Sequence, residues 1–345
     1  MKVLVTGATG QVGCRLIRQL LDRNHEVRGT VWAGVPPAEL ERVAGLEVDL
    51  RTGDLADLDF VRGAVQDVDA VIHTANLVGP YFENNIQTTL QVTRACGEAA
   101  GRLDRFIYVS SSGVFPNDSH VLACAYHPVD ENHPKRSTSE YNLSKMIGEQ
   151  LAELAAQRTG LRTVIVRPSH VLSGEKLISQ FTVNRVISNL KSGFQNPGSE
   201  LFMPNLEDPS RGLELWRDVE AQAEDPGQPC SVTDLEGRPW FYQPNDARDV
   251  AHALVCALER PEALGESFNL GAPEPFTYTE GAQLLSGLSG RKLLEIKLPV
   301  RWRYDHAIGK AKSWIGYTPR GDLQTMLNDA WAVKQGQFQD YTWAS

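Results

Sequence analysis

The 345-residue sequence has no apolar run near the ~20 residues that a membrane-spanning helix needs. Cysteine is scarce and unpatterned: Cys14, Cys96, Cys124, Cys230 and Cys256 are odd in number, widely spaced and without a Cys-x-x-Cys. That excludes a disulfide scaffold and a zinc site and leaves reduced thiols as the expectation. Basic residues are in deficit, 34 against 43 acidic for a net charge of −9, so there is no electrostatic footprint for nucleic acid or an anionic membrane. No Gly-x-Ser-x-Gly elbow occurs, which disfavours a Ser-His-Asp hydrolase. The histidines show no metal-ligand spacing, so no metal is expected. Repeats and low-complexity tracts are absent. The opening MKVLVTGATG runs directly into a patterned strand with no signal-peptide h-region ahead of it, and a cytoplasmic protein is expected.

What remains is an ordinary globular composition, 41% hydrophobic and 22% charged. Over the first 170 residues, apolar runs alternate with amphipathic stretches. Strands are expected at Lys2–Thr6, Glu26–Val31, Leu46–Thr52, Ala70–Thr74, Phe106–Ser110 and Thr163–Arg167. Helices are expected at Gly13–Arg23, Leu58–Val65, Asn84–Ala100 and Tyr141–Gln157. This alternation predicts an α/β, Rossmann-type doubly wound parallel sheet. The expected division is a dinucleotide-binding domain over 1–170 and a smaller substrate-binding lobe over 171–345, with 249–271 returning to the first domain. Between Pro204 and Pro229 the chain is acidic and proline-rich, with a short helical interlude at Leu213–Ala223, and reads as a surface insertion or flap. Regular pattern resumes with a helix at Asp249–Glu259, a strand at Ser267–Leu270 and a helix at Thr279–Leu288.

The first strand ends in Thr6-Gly7-Ala8-Thr9-Gly10-Gln11-Val12-Gly13 and a helix follows at once. Glycines at this spacing permit a tight turn, bring a pyrophosphate close to the backbone and let the helix pack on the strand. The helix N-terminus offers free N–H groups and the positive dipole end to the phosphates. Tyr141 and Lys145 are four apart on a helix and share one face. An ammonium beside a phenol favours the phenolate and lowers its pKa, tuning the tyrosine to move a proton to or from a substrate oxygen. A serine hydroxyl across the site can hold the same oxygen.

The spacing GxxGxxG, followed in order by several further motifs, resembles the extended short-chain dehydrogenase/reductase family, the NAD-dependent epimerase/dehydratase group. The likeness covers most of the chain. Gly53-Asp54-Leu55 looks like the family's adenine-contacting step. His73-Thr74-Ala75 resembles its segment beside the cofactor, with Asn76 in place of a second alanine. Asn85 resembles its helix asparagine. Tyr108-Val109-Ser110-Ser111-Ser112-Gly113-Val114-Phe115 looks like the serine motif, Tyr141-Asn142-Leu143-Ser144-Lys145 the YxxxK pair, and Arg167-Pro168 the end of its sixth strand. Asp249-Val250-Ala251 and Phe268-Asn269-Leu270-Gly271 match C-terminal landmarks. The resemblance implies Ser111, Tyr141 and Lys145 as catalytic residues, with Ser112 in reserve for Ser111. It implies a cofactor site of Gly7, Thr9, Gly10, Gln11, Val12, Gly13, Trp32, Asp54, Leu55, Thr74, Ala75, Asn76, Tyr141, Lys145 and Pro168.

Departures from the family pattern are informative. Ser112-Gly113 stands where sugar-nucleotide 4,6-dehydratases carry Asp-Glu, so that elimination is not expected. The second strand ends in Val31-Trp32, with neither the aspartate that grips NAD's ribose nor the arginine that pairs a 2′-phosphate. NAD is the expected cofactor, NADP stays open, and Arg28 and Arg42 are the residues to watch. His170 replaces the asparagine, and Tyr242 an arginine, through which relatives hold nucleoside-diphosphate sugars. Ser111, Ser112, Tyr141 and His170 are therefore expected to meet a small, sugar-like polar substrate without a nucleoside diphosphate, unless Arg185, Arg211 or Arg238 folds inward. The expected activity is an NAD(P)-dependent oxidoreductase or epimerase acting at a secondary alcohol or ketone, in a homodimer built on the second pair of helices. A nucleotide-sugar 4-epimerase, a reductase of aromatic or steroid ketones and a non-catalytic dinucleotide sensor are the alternatives.

Overall fold

A computed structural model describes residues 1–77, 81–116, 124–137, 139–193, 214–300, 302–303 and 305–337. Seven parallel strands form the central sheet: β1 (Lys2–Thr6), β2 (Glu26–Val31), β3 (Val48–Thr52), β4 (Ala70–His73), β5 (Arg105–Val109), β6 (Thr163–Pro168) and β7 (Ser267–Leu270). Their order is β3-β2-β1-β4-β5-β6-β7, the doubly wound arrangement expected. Strands β4, β5 and β6 are buried along their whole length, as a sheet covered on both faces requires. One face is covered by helices α1 (Gly13–Asp22) and α5 (Ala247–Glu259), whose Leu16, Ile17, Val250 and Leu254 pack on Val3, Val5 and Ile107. Helices α2 (Leu58–Val65), α3 (Phe82–Glu98) and α4 (Glu140–Thr159) cover the other, burying Val61, Val92 and Ala152 against Leu4, Val71 and Phe106.

Several ends differ from the sequence expectation for local reasons. β3 begins at Val48, because the Val48 amide closes a turn onto the Leu46 carbonyl at 2.9 Å. β5 begins at Arg105, a cation buried in a sheet because its guanidinium donates to the carbonyls of Ala257 (2.8 Å) and Arg260 (2.9 Å). α4 starts under a Ser139 cap and ends at Gly160 in the left-handed region.

A second apolar core lies among the helices Glu175–Gln180, Val183–Gly193, Tyr278–Ser289 and Leu323–Lys334, centred on the mutually packed Trp240, Tyr242, Tyr278 and Trp302. The expected acidic insertion or flap is described only in its second part. Residues 204–213 lie outside the described residues, but Leu215–Gln222 is a helix whose Val219 is fully buried in this core. Lys191 stacks over the Trp216 ring at 3.9 Å, and Gln228 and Cys230 are buried. An acidic helix can pack this way because its charges stay on the outer face while Val219 fills the inner one. The five cysteines are free thiols. Among the described residues, no helix is long and apolar enough to cross a membrane and no group of side chains is placed to hold a metal ion.

Candidate active site

The C-terminal ends of β1, β4, β5 and β6 converge on one cleft edge. Gly7 leaves β1 at φ +71°, and the Gly10 amide closes the turn onto its carbonyl at 3.0 Å. A Cβ on Gly7 would sit 2.9 Å from the Ala75 Cα, and one on Gly13 would land on the Gly7 carbonyl. Both positions therefore admit glycine alone. α1 starts at Gly13 with no side-chain cap and no acidic residue in its first turn; the Cys14, Arg15 and Leu16 amides donate to the carbonyls of Gly10 and Val12, and no side-chain charge offsets the positive end of the helix dipole. Thr9 is buried, Arg42 donates to its carbonyl (2.9 Å), and Gln11 reaches Ser173 (2.7 Å) beyond β6. Val12 is the residue at the helix start. This cradle fits the pyrophosphate of a dinucleotide.

Beside it, Thr74 donates to the Thr6 carbonyl (2.6 Å) and the Ala75 amide to the Thr6 hydroxyl (3.2 Å), tying the ends of β1 and β4 together. His73 is buried between Thr6 (2.7 Å) and Thr89 (3.2 Å). Asn85 holds both backbone groups of Leu77, and Asn76 donates to the same carbonyl, so the loop after β4 is pinned to α3. Asp54 is exposed with its carboxylate on the Ala56 amide (2.8 Å), and Leu55 packs on the α2 side of the core. Trp32 is 57% exposed and lies against Gly34. Arg28 is spent elsewhere, buried on Asp49 and the carbonyls of Ala64 and Gln66.

The three serines part company. Ser110 donates to buried Glu149 (2.6 Å), Ser111 faces the Tyr141 hydroxyl, and Ser112 is buried. Lys145 is buried and donates to the Val109 carbonyl at 2.8 Å. Pro168 ends β6, paired with Leu270. The structure thus brings Ser111, Tyr141 and Lys145 to one place. The expected electrostatics are not met, however. Burial raises the Tyr141 phenol, offset in part by the facing Ser111 hydroxyl. Burial also brings the Lys145 ammonium down to about 7, against the pull of Glu149. Desolvation wins because Lys145 is turned to a carbonyl and its own charge is weakened by the same burial.

On the substrate side, His170 is exposed and its Nδ1 lies 2.9 Å from the hydroxyl of buried Tyr242. Tyr242 packs on Trp302, next to Arg303, which is paired with Asp305 (2.8 Å); Asp305 also takes His127 at 3.0 Å. Of the arginines expected to decide phosphate binding, Arg238 is held by Asp234 and Glu236, Arg185 lies near the buried Tyr278 hydroxyl, and Arg211 lies outside the described residues. Sequence reading missed Glu149 and the Arg303–Asp305–His127 group. The first carried a signal, its position four residues past Lys145.

Comparison with known proteins places these observations. Residues 3–271 match the model of the NAD dependent epimerase/dehydratase family. The uncharacterized UDP-glucose epimerase YtcB of Bacillus subtilis (strain 168) is 25% identical over 366 aligned residues, 98% of this chain and 99% of that protein. A short-chain dehydrogenase/reductase superfamily protein from Agrobacterium tumefaciens, solved with bound NAD, superposes with a TM-score of 0.76 at 24% identity over 98% of both chains. The UDP-glucuronic acid 4-epimerase of Bacillus cereus, in complex with UDP-glucuronic acid and NAD, superposes with a TM-score of 0.70 at 21% identity, covering 98% of this chain and 100% of that one.

Proposed function

Since the chain belongs to the NAD dependent epimerase/dehydratase family, it is an NAD-dependent enzyme of the extended short-chain dehydrogenase/reductase type, and we propose that it interconverts a secondary alcohol and a ketone on a small, sugar-like substrate. The observation that carries this reading is the placing of Ser111 against the Tyr141 hydroxyl, with Lys145 buried one turn further along the same helix on the carbonyl of Val109. NAD, when bound, supplies the hydride acceptor. Ser111 holds the substrate oxygen and Tyr141 exchanges its proton. The raised phenol makes Tyr141 a proton donor at rest, suited to a ketone. To act as a base toward an alcohol it draws on the Lys145 charge. Gly7, Gly10 and Gly13 cradle the dinucleotide, with Trp32 and Asp54 on its adenosine side.

For the substrate we favour a sugar or sugar acid without a nucleoside diphosphate. A diphosphate calls for cationic partners, whereas His170 is bonded to Tyr242, and Arg238 and Arg303 are already paired with carboxylates. A nucleotide sugar is the second reading, favoured by the full-length likeness to YtcB. We also propose a homodimer through α3 and α4, on which Leu90 and Leu154 are exposed. Thr93, also on α3, faces inward with its hydroxyl on the Thr89 carbonyl. Free thiols suit the reducing cytoplasm.

Two measurements test the reading. Tyr141→Phe should lose ~10²–10⁴-fold of turnover, followed at the nicotinamide absorbance over a panel of sugars and sugar acids, with NAD affinity nearly unchanged. More than about a tenth of the wild-type rate would remove Tyr141 from the chemistry. Calorimetry of the NAD-loaded protein against UDP, UDP-glucose and free sugars separates the substrates, and submicromolar UDP binding would decide for the nucleotide sugar.

A further inference from the structure

The helix face that carries Tyr141 and Lys145 continues to a carboxylate that the reaction itself does not touch. Glu149 lies four residues past Lys145 and eight past Tyr141, on the same side of α4. It is fully buried, and both oxygens are engaged. Oε1 accepts from Ser110 Oγ (2.6 Å) and Arg167 Nε (2.7 Å). Oε2 accepts from Arg167 Nη2 (2.9 Å) and pairs with Lys135 Nζ (2.7 Å). Arg167 is buried too, with its guanidinium 5.3 Å from the centre of the Phe115 ring. The pair is bidentate and charge-assisted, the geometry that makes such a contact directional.

These partners come from separate elements: Ser110 follows β5, Arg167 lies at the end of β6, and Lys135 belongs to the segment ahead of α4. Three consecutive residues at the end of β5 each engage the helix. The Val109 carbonyl takes Lys145, Ser110 donates to Glu149, and Ser111 faces the Tyr141 hydroxyl. A one-residue slip of α4 would break all three contacts. The groups facing Lys145 are His73 from β4, Tyr108 from β5 with its ring centre at 5.4 Å, and Tyr141 and Glu149 from its own helix. Arg167 and Lys135 stand behind Glu149. Of the facing groups, His73 is kept neutral by burial and the two tyrosines are raised, which leaves Glu149 as the anion.

We propose that Glu149 is a positioning residue, whose buried pairing with Arg167, Lys135 and Ser110 sets α4 against β5 so that Tyr141 meets Ser111, and whose charge keeps Lys145 an ammonium. The proposal rests on the roles given to Tyr141 and Lys145 above. It also gives the first serine of the Ser110-Ser111-Ser112 run a task distinct from that of the second.

Competitive acetic anhydride labelling across pH, with the Lys145 peptide read by mass spectrometry, reports the Lys145 midpoint without any substrate. Glu149→Gln leaves Arg167 buried and unpaired, so the double variant Glu149→Gln/Arg167→Met, which removes both charges, is measured beside it. The midpoint should fall by about one pH unit in Glu149→Gln and by less in the double variant, where loss of the Arg167 charge offsets part of the loss of the Glu149 charge. Ser110→Ala keeps the charge and should leave the midpoint in place while cutting kcat about tenfold or more at unchanged KM. An unshifted midpoint in folded Glu149→Gln, or wild-type kcat in Ser110→Ala, overturns the proposal. Either result leaves the Tyr141→Phe test of the reaction standing.

Discussion

Replacing Gly13 with alanine tests whether the first turn is a cofactor cradle or a loop that merely collects glycine. The added Cβ lands on the Gly7 carbonyl oxygen and lies 3.0 Å from the Gly7 carbonyl carbon and 3.2 Å from that of Ala8. All are backbone atoms, so no neighbouring side chain can swing away, and α1 must move off β1. That helix has little freedom, since Cys14, Leu16, Ile17 and Leu20 are all fully buried. Overpacking of this kind costs about 1–3 kcal/mol. At roughly 2–4 °C per kcal/mol for a large domain, the melting temperature of the nucleotide-free protein should fall by about 2–12 °C. The same displacement moves the glycine turn and helix start that would hold the pyrophosphate, and NAD affinity should drop at least tenfold, about 1.4 kcal/mol. Gly63→Ala is the matched control. It lies inside α2, where an added Cβ meets nothing within 4 Å, and should gain about 0.5–1 kcal/mol. Scanning calorimetry and NAD titration of the three proteins read both effects. A Gly13→Ala protein with wild-type melting and wild-type NAD affinity would refute the cradle.

Dinucleotide choice should favour NAD over NADP, because Arg28 is buried on Asp49; parallel titrations check this, and a tenfold preference for NADP, lost in Arg42→Ala, would reverse it. Burial holds His73 near pKa 3, below the 6.5 of an unfolded histidine, so the unfolded chain takes up the proton first and stability is lost as pH falls from about 6.5 toward 3. The melting temperature of His73→Gln should therefore fall less between pH 7.5 and 4.5 than that of the wild type. Light scattering at micromolar concentration should give a dimer, and Leu154→Glu on the exposed face of α4 a monomer with its melting temperature nearly unchanged.

The residues alone determine what depends on near neighbours in the chain. β1, β2, β7 and α2 lie where alternation and periodicity put them, because burial of one face is written into the spacing. The glycine turn is legible for the same reason: one backbone angle and one close approach demand it. Tyr141 and Lys145 share a face because four residues make about one helical turn. Tertiary structure decided the rest. Ser110, Glu149 and Arg167 lie on separate elements, and His170 reaches Tyr242 across 72 residues of chain. The helix at Leu215–Gln222 lies in a stretch that reads by composition as a surface insertion or flap, and only the second core beside it decides that Val219 is buried, with Leu215, Trp216 and Ala223 packed around it. The charge state of the site is decided at the same level. Spacing puts an ammonium near a phenol, but only the surrounding packing sets how far burial weakens the first and raises the second, because desolvation depends on every atom that excludes water and not on sequence distance.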